Sequence, residues 1–247
     1  LDVSNKENVF EVIHNVKPDI IINTSALTNV EYCEKNNSHT NLINVIGMSN
    51  ILNAISDKVN VVQISTDYVF SGFNGNNYKE SSNCNPINYY GQSKLNAEKM
   101  LLASNNRYII FRASTIFSNN FNCSSNFLTF IYKNLKNKKQ VNIANDLYSK
   151  PTYVTTFAKT IIRSILMDLH GVFHYGSSNR ISKYDFAIEF SKVYNLNANL
   201  INSVSYKTLP FNAKRPRDST LNTKKIQNKL CLDIQTTKES LNSMKNG

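Results

Sequence analysis

A tyrosine and a lysine four residues apart, in the run Tyr90-Gly91-Gln92-Ser93-Lys94, carry the sharpest chemical signal in this sequence. On a helix, side chains at that spacing leave one face, about 5–6 Å apart at Cβ. The pair would set an ammonium beside a phenol. A free phenol has a pKa of about 10, and a neighbouring positive charge favours the phenolate and lowers that value. A tyrosine tuned this way exchanges a proton with an alcohol or carbonyl oxygen near neutral pH. The same spacing also fits an ordinary solvated helix face, so its neighbours decide what it means. The segment Ile64-Ser65-Thr66-Asp67-Tyr68-Val69-Phe70 follows one apolar run, and Asn23-Thr24-Ser25-Ala26 follows an earlier one. Each places hydroxyl and carboxyl groups where a buried strand would end, and open α/β sheets bind ligands at that edge.

The elements that must position these groups alternate in type. Ser4-Asn5-Lys6-Glu7 reads as a capping box ahead of a helical stripe, Val9, Val12 and Ile13, that stops near Pro18. Residues 19–23 form a short continuous apolar run, the mark of a strand buried on both faces. A helix is predicted over 40–56, with Leu42, Ile43, Val45, Ile46, Ile51 and Leu52 inward, and a strand over 59–64. A long polar loop, about 67–87, holds Gly72, Gly75, Asn76, Asn77 and Pro86, and loops of that length are often functional. Then follow a helix over 88–103, a strand at 108–112, a helix over 124–137, a strand at 140–144, a helix over 155–168, a strand at 171–175 and a helix near 182–194. Such alternation implies an α/β fold with a doubly wound parallel sheet. Residues 1–150 are expected to form the sheet domain. Residues 151–247 are expected to form mainly a smaller lobe, with segments returning to the sheet.

Composition narrows the function classes. Apolar residues make up 41% of the 247 positions, enough for a buried core, which excludes wholesale disorder. No run of 18 apolar residues exists to cross a membrane as a helix. Cys33, Cys84, Cys123 and Cys231 are scattered without a CxxC pair, which suits reduced thiols in a cytoplasmic protein and no metal centre. His170 and His174 are four apart, but the intervening residues read as a strand, so they make no helical metal pair. Charge is uneven: residues 1–100 hold 7 Lys+Arg against 10 Asp+Glu, whereas 101–247 hold 21 against 7. A basic second half suits an anionic partner. No helix-turn-helix, RNP or zinc-finger signature accompanies it, which argues against nucleic acid and for a phosphorylated small molecule.

Taken together, the chain resembles the extended short-chain dehydrogenase/reductases, and within them the dTDP-4-dehydrorhamnose reductases. The resemblance rests on Lys17-Pro18-Asp19 into Asn23, on Ser65-Thr66-Asp67-Tyr68-Val69-Phe70-Ser71-Gly72, and on Tyr90-Gly91-Gln92-Ser93-Lys94-Leu95 with Glu98. It continues through Phe111-Arg112-Ala113-Ser114, Pro151-Thr152, and Arg215-Pro216 with Ser219 and Leu221-Asn222-Thr223. It implies a Rossmann-like sheet with a C-terminal substrate-binding lobe. It also implies an enzyme in which NADPH or NADH delivers hydride to C4 of a nucleotide-linked 4-keto-6-deoxy sugar, in the making of dTDP-rhamnose for cell-surface polysaccharide. By position, Tyr90 would donate the proton, Lys94 would bind the nicotinamide ribose and lower the phenol's pKa, and Thr66 would hold the carbonyl. Asp67, Thr115 and Arg215 would contact substrate, Arg215 at the pyrophosphate. Ala26, Leu27, Thr28 and Ile64 would line the cofactor. The sequence is compatible with a homodimer and with a Mg2+ ion, for which it names no ligands. Two other readings stay open: another reductase or an epimerase of the same superfamily, and a non-catalytic subunit like the one that attaches to methionine adenosyltransferase.

Two departures from the family pattern carry expectations of their own. The family opens with a strand and a glycine-rich turn whose amides cradle dinucleotide phosphates, and no such turn is found among the seven glycines here. Asp2-Val3-Ser4 matches the family just after its second strand, and the chain starts at Leu1 rather than Met. The expectation is a fragment of a longer product, marginally stable and weak in cofactor binding by itself. The second departure is Thr115, where the family often has Trp.

Overall fold

The computed structural model describes residues 1–73, 77–122 and 126–246. Gly75 and Asn76 of the polar loop, Cys123, and the start of the helix expected from 124 lie outside the described residues.

In chain order the elements are α1 (Lys6–Val16), β1 (Ile20–Asn23), α2 (Val30–Lys35), α3 (Asn37–Asn41), α4 (Gly47–Ala54), β2 (Asn60–Thr66), α5 (Tyr89–Ala103) and β3 (Tyr108–Phe117). Next come α6 (Phe127–Lys136), β4 (Val141–Ala144), β5 (Tyr148–Ser149), β6 (Pro151–Tyr153), α7 (Val154–Leu166) and β7 (Gly171–Tyr175). The chain continues with β8 (Ile181–Ser182), α8 (Lys183–Val193), β9 (Ile201–Val204), α9 (Lys224–Leu230) and α10 (Thr237–Asn246).

The main sheet is parallel throughout, the architecture that strand–helix alternation implies. β3 is its spine. Its first half pairs β2 and β7, and its second half pairs β6. Successive residues of a strand face opposite sides, and both sides are covered. Val61 and Ile110 meet Met48, Ala97 and Leu101 from α4 and α5. Val62 and Phe111 meet Phe157 and Ile161 of α7 and Ile226 and Leu230 of α9. A second core forms where Phe117, Leu128, Ile131, Phe186, Phe190, Leu241 and Met244 pack together from β3, α6, α8 and α10.

Three local expectations are corrected. The cap of α1 is Asn5, whose side chain accepts from the Asn8 amide at 2.9 Å, whereas Ser4 donates its hydroxyl to Asp2 instead. Among the described residues β1 pairs only with β2, and Ile22 is 41% exposed rather than buried on both faces. The 40–56 helix is interrupted by a π-helical turn at Leu42–Ile46. Widening the turn shifts the inward stripe, so Val45 and Ile51 are buried while Leu42 and Ile46 face outward.

Candidate active site

All strands of the main sheet run parallel, so their C-terminal ends share one edge, and the site is built there. Thr66 ends β2 and caps the single turn Asp67–Val69, accepting from the Tyr68 amide at 3.2 Å. Its hydroxyl lies 3.2 Å from Asp67 Oδ1. Asp67 is buried, and the Ser219 hydroxyl donates to its other oxygen. The Asp67 turn is thereby tied to a segment 152 residues further along the chain.

Tyr90 enters on α5. Asn88 caps that helix by accepting from the Gly91 amide at 2.9 Å, and it donates to the Lys214 carbonyl at 2.8 Å. A Cβ at Gly91 would sit 2.2 Å from the Tyr68 carbonyl oxygen. Only glycine lets the helix lie this close to the Asp67 turn. The rings of Tyr68 and Tyr90 meet edge to face at 5.9 Å. Gly72, at φ +73°, plays a matching part at the end of the turn, where an added Cβ would strike Pro216 and Arg217 at 2.7 Å.

The loop after β1 is held to the same helix through Asn44. Its side chain accepts from the Leu27 amide at 2.7 Å and donates to the Leu27 carbonyl at 3.1 Å and to Ser93 Oγ at 2.9 Å. Ser93 in turn donates to the Tyr90 carbonyl at 2.8 Å. Ala26 and Leu27 are half-buried and Thr28 is exposed, on a loop that Asn44 and Ser93 link to the Tyr90 backbone. Ile64 lies further back in β2, where it packs against the Phe111 core.

Burial decides the ionisation of the site. The half-buried Tyr90 phenol is raised well above its ordinary pKa, chiefly by desolvation and then by the Asp67 carboxylate, while the Thr66 hydroxyl opposes the rise. This corrects the expectation that Lys94 lowers it. The phenol is held in its protonated, donor form. Lys94 is 4% exposed and its pKa falls to about 8 by desolvation, with the Glu98 carboxylate opposing the fall. Asp67 is raised to about 6 by burial, against hydrogen bonds from Ser219 and Thr66 and the charge of Lys183.

Beneath this group lies a buried ion pair. Arg112 binds Glu98 through Nε and Nη2, the latter at 2.7 Å, and Ser65 donates to the same carboxylate. Arg112 also stacks over Phe70 at 5.3 Å.

Of the residues singled out from sequence, Thr66, Asp67 and Tyr90 converge, and Lys94 lies one turn along the same helix. Thr115 sits at an irregularity in the β3–β6 pairing, in the left-handed region at φ +41°. Its hydroxyl accepts from Lys183 Nζ. Arg215 is engaged by Glu31 at 3.0 Å and stacks on Phe211 at 4.1 Å, while its charge reaches Tyr68. It therefore also serves as a clamp between α2 and the 211–217 segment. Sequence reasoning missed Lys183 and Asn44, which sit in unremarkable polar contexts, and gave Ser219 no role beyond membership of a motif. Among the described residues no three His, Cys, Asp or Glu side chains converge as a metal site, which leaves Mg2+ without a ligand set there. An open cavity of about 540 Å³ lined by Lys79, Glu80, Val172, Asn222 and Lys225 shares no residue with the Tyr90 cluster.

The model of the RmlD substrate binding domain matches residues 1–246. A dTDP-4-dehydrorhamnose reductase of Aggregatibacter actinomycetemcomitans is 33% identical over 240 residues, covering 92% of this chain and 80% of its own. The reductase of the same name from Escherichia coli K12 is 31% identical over 242 residues, covering 94% of this chain and 80% of its own. Among solved structures, the Bacillus anthracis dTDP-4-dehydrorhamnose reductase in complex with NADP superposes with a TM-score of 0.93 at 29% identity, over all of this chain and 86% of that one.

Proposed function

The chain belongs to the RmlD substrate binding domain family, and on that premise we propose that it reduces the C4 ketone of a nucleotide-linked 4-keto-6-deoxy sugar, of the dTDP-4-dehydrorhamnose type, with NADPH or NADH. It is an oxidoreductase of the short-chain dehydrogenase/reductase kind. The observation that carries the reaction is the proton-bearing Tyr90 phenol beside Thr66 and Asp67 at the C-terminal edge of a parallel sheet.

The residues present fit the nicotinamide–ribose end of such a cofactor. Lys94 is a buried ammonium whose charged form is favoured by one carboxylate, that of Glu98, and a ribose hydroxyl would complete its hydrogen bonding. Lys94 would hold the cofactor together with Ile64 and the Ala26-Leu27-Thr28 loop that Asn44 fixes against α5. The bound nicotinamide supplies the hydride. This chain's own residues handle the oxygen and the proton. The Thr66 hydroxyl, whose present hydrogen bonds are long at 3.2 Å, turns to the ketone oxygen. Tyr90 keeps its proton until an alkoxide, a much stronger base, forms within reach, and then gives it up. Asp67 accepts from a sugar hydroxyl.

The test is to supply the full-length protein with dTDP-4-dehydrorhamnose and NADPH or NADH. The expected result is stoichiometric nicotinamide oxidation and dTDP-rhamnose as product. Conversion of the sugar without net oxidation would identify an epimerase instead. No conversion, with a stoichiometric protein partner recovered, would identify a regulatory subunit.

A further inference from the structure

Lys183 stands in a place that three separate costs make unfavourable. It is the first residue of α8, where the helix dipole disfavours a cation. Its ammonium is withdrawn from water, lowering its pKa to about 8. The atom that accepts from it, Thr115 Oγ1, is aimed by a non-glycine residue at φ +41° where β3 breaks register. β-bulges of this kind re-aim side chains next to active sites. Phe127 covers the other side, its ring 5.2 Å from the ammonium. The helix does not need the cation, since Ser182 caps it by accepting from the Asp185 amide at 2.9 Å. The arrangement points the charge inward, toward Asp67.

Asp67 and Lys183 act on each other's ionisation, yet they make no ion pair within 4.0 Å. The carboxylate and the ammonium thus face each other without touching, each held by hydroxyls: Ser219 and Thr66 on Asp67, Thr115 on Lys183. A sugar hydroxyl can donate to the first and accept from the second. Asp67 adjoins Thr66, which contacts Tyr90, so the two charges lie beside the proton donor, where the hexose would sit rather than the nucleotide. We propose that Lys183 is a specificity-determining residue of this site, donating to a hydroxyl of the hexose that Asp67 accepts from on its other side. The inference rests on the sugar-nucleotide reading above.

The test is calorimetric titration of the full-length protein with dTDP-rhamnose and, separately, with dTDP. Lys183→Met should weaken dTDP-rhamnose at least tenfold and leave dTDP unchanged. Lys183→Arg should recover most of the loss. In turnover, the defect should fall on KM rather than kcat. Thr115→Val, which removes the hydroxyl that holds the ammonium but keeps the charge, should show a smaller loss of the same kind and stands in if the methionine variant fails to fold. Equal weakening of both ligands, or no weakening, would overturn the assignment. So would a wild-type protein that binds dTDP-rhamnose no more tightly than dTDP, since the hexose then makes no contact worth measuring. Failure of the reaction itself is read on a different signal, nicotinamide oxidation by the wild type.

Discussion

Two groups of buried charges share strand β2 and helix α5, and they are built on different terms. Ser65 donates to Glu98, which Arg112 binds through three hydrogen bonds under the Phe70 ring, with Arg112 Nη1 left as a buried donor without a partner. The next residue, Thr66, leads into Asp67, Tyr90 and Lys183, where charges are desolvated but left without a full set of partners. Lys94 lies between the two groups on α5, four residues from each of Tyr90 and Glu98. A carboxylate and a guanidinium paired directly through parallel hydrogen bonds fix one geometry. Desolvated charges that are not paired directly have shifted pKa values and keep polar atoms available to a ligand. The first group is the platform and the second the working surface, and adjacent residues of one strand serve both.

A dispensable Glu98–Arg112 pair would remove the distinction between the two groups. Glu98→Ala leaves the Arg112 guanidinium buried and unpaired, and removing one member of such a pair costs about 3–5 kcal/mol. Denaturant unfolding should show that loss as a lowered midpoint. An unchanged midpoint would move Glu98 out of the platform.

The working surface, unlike the platform, should respond to pH. Asp67 titrates at about 6, and Lys94 and Lys183 at about 8. A working form with Asp67 ionised and both lysines charged exists between these values, so kcat/KM should fall on either side of a plateau from about 6 to about 8. The stability effect of Asp67 has the opposite sense. Its folded-state pKa lies above the ordinary 3.8, so between 3.8 and about 6 the folded state binds the proton more tightly than the unfolded state. Its contribution to stability is therefore full below that window and is lost as pH rises through it. The carboxylate that catalysis needs is the form the fold disfavours. A flat activity profile across pH 5–9 would contradict the ionisation scheme.

The platform and the working surface were unequally legible in the sequence. Alternating apolar runs disclose a parallel sheet because each buried strand must be apolar on both faces, and the Tyr90–Lys94 spacing discloses a helix face. β1 hides this signal, since Ile22 looks as buried as Ile21 until its neighbours are known. The shift of Leu42 and Ile46 to the outside depends on one widened turn, which no local pattern announces. Lys183 was invisible for a deeper reason. Its meaning comes from Thr115, 68 positions earlier, and from a backbone irregularity that only strand pairing creates. The direction of the Tyr90 shift was also out of reach, because spacing reports which groups are near but not how much water has been removed from them.

The most direct test of the account is hydride transfer by Tyr90→Phe in the full-length protein, followed as single-turnover nicotinamide oxidation with saturating sugar nucleotide. Loss of the proton donor should slow that step by about 10²–10⁴-fold, with the Kd for the sugar nucleotide nearly unchanged. Transfer at the wild-type rate would contradict a proton delivered by this phenol, and with it the role assigned to the edge of the sheet.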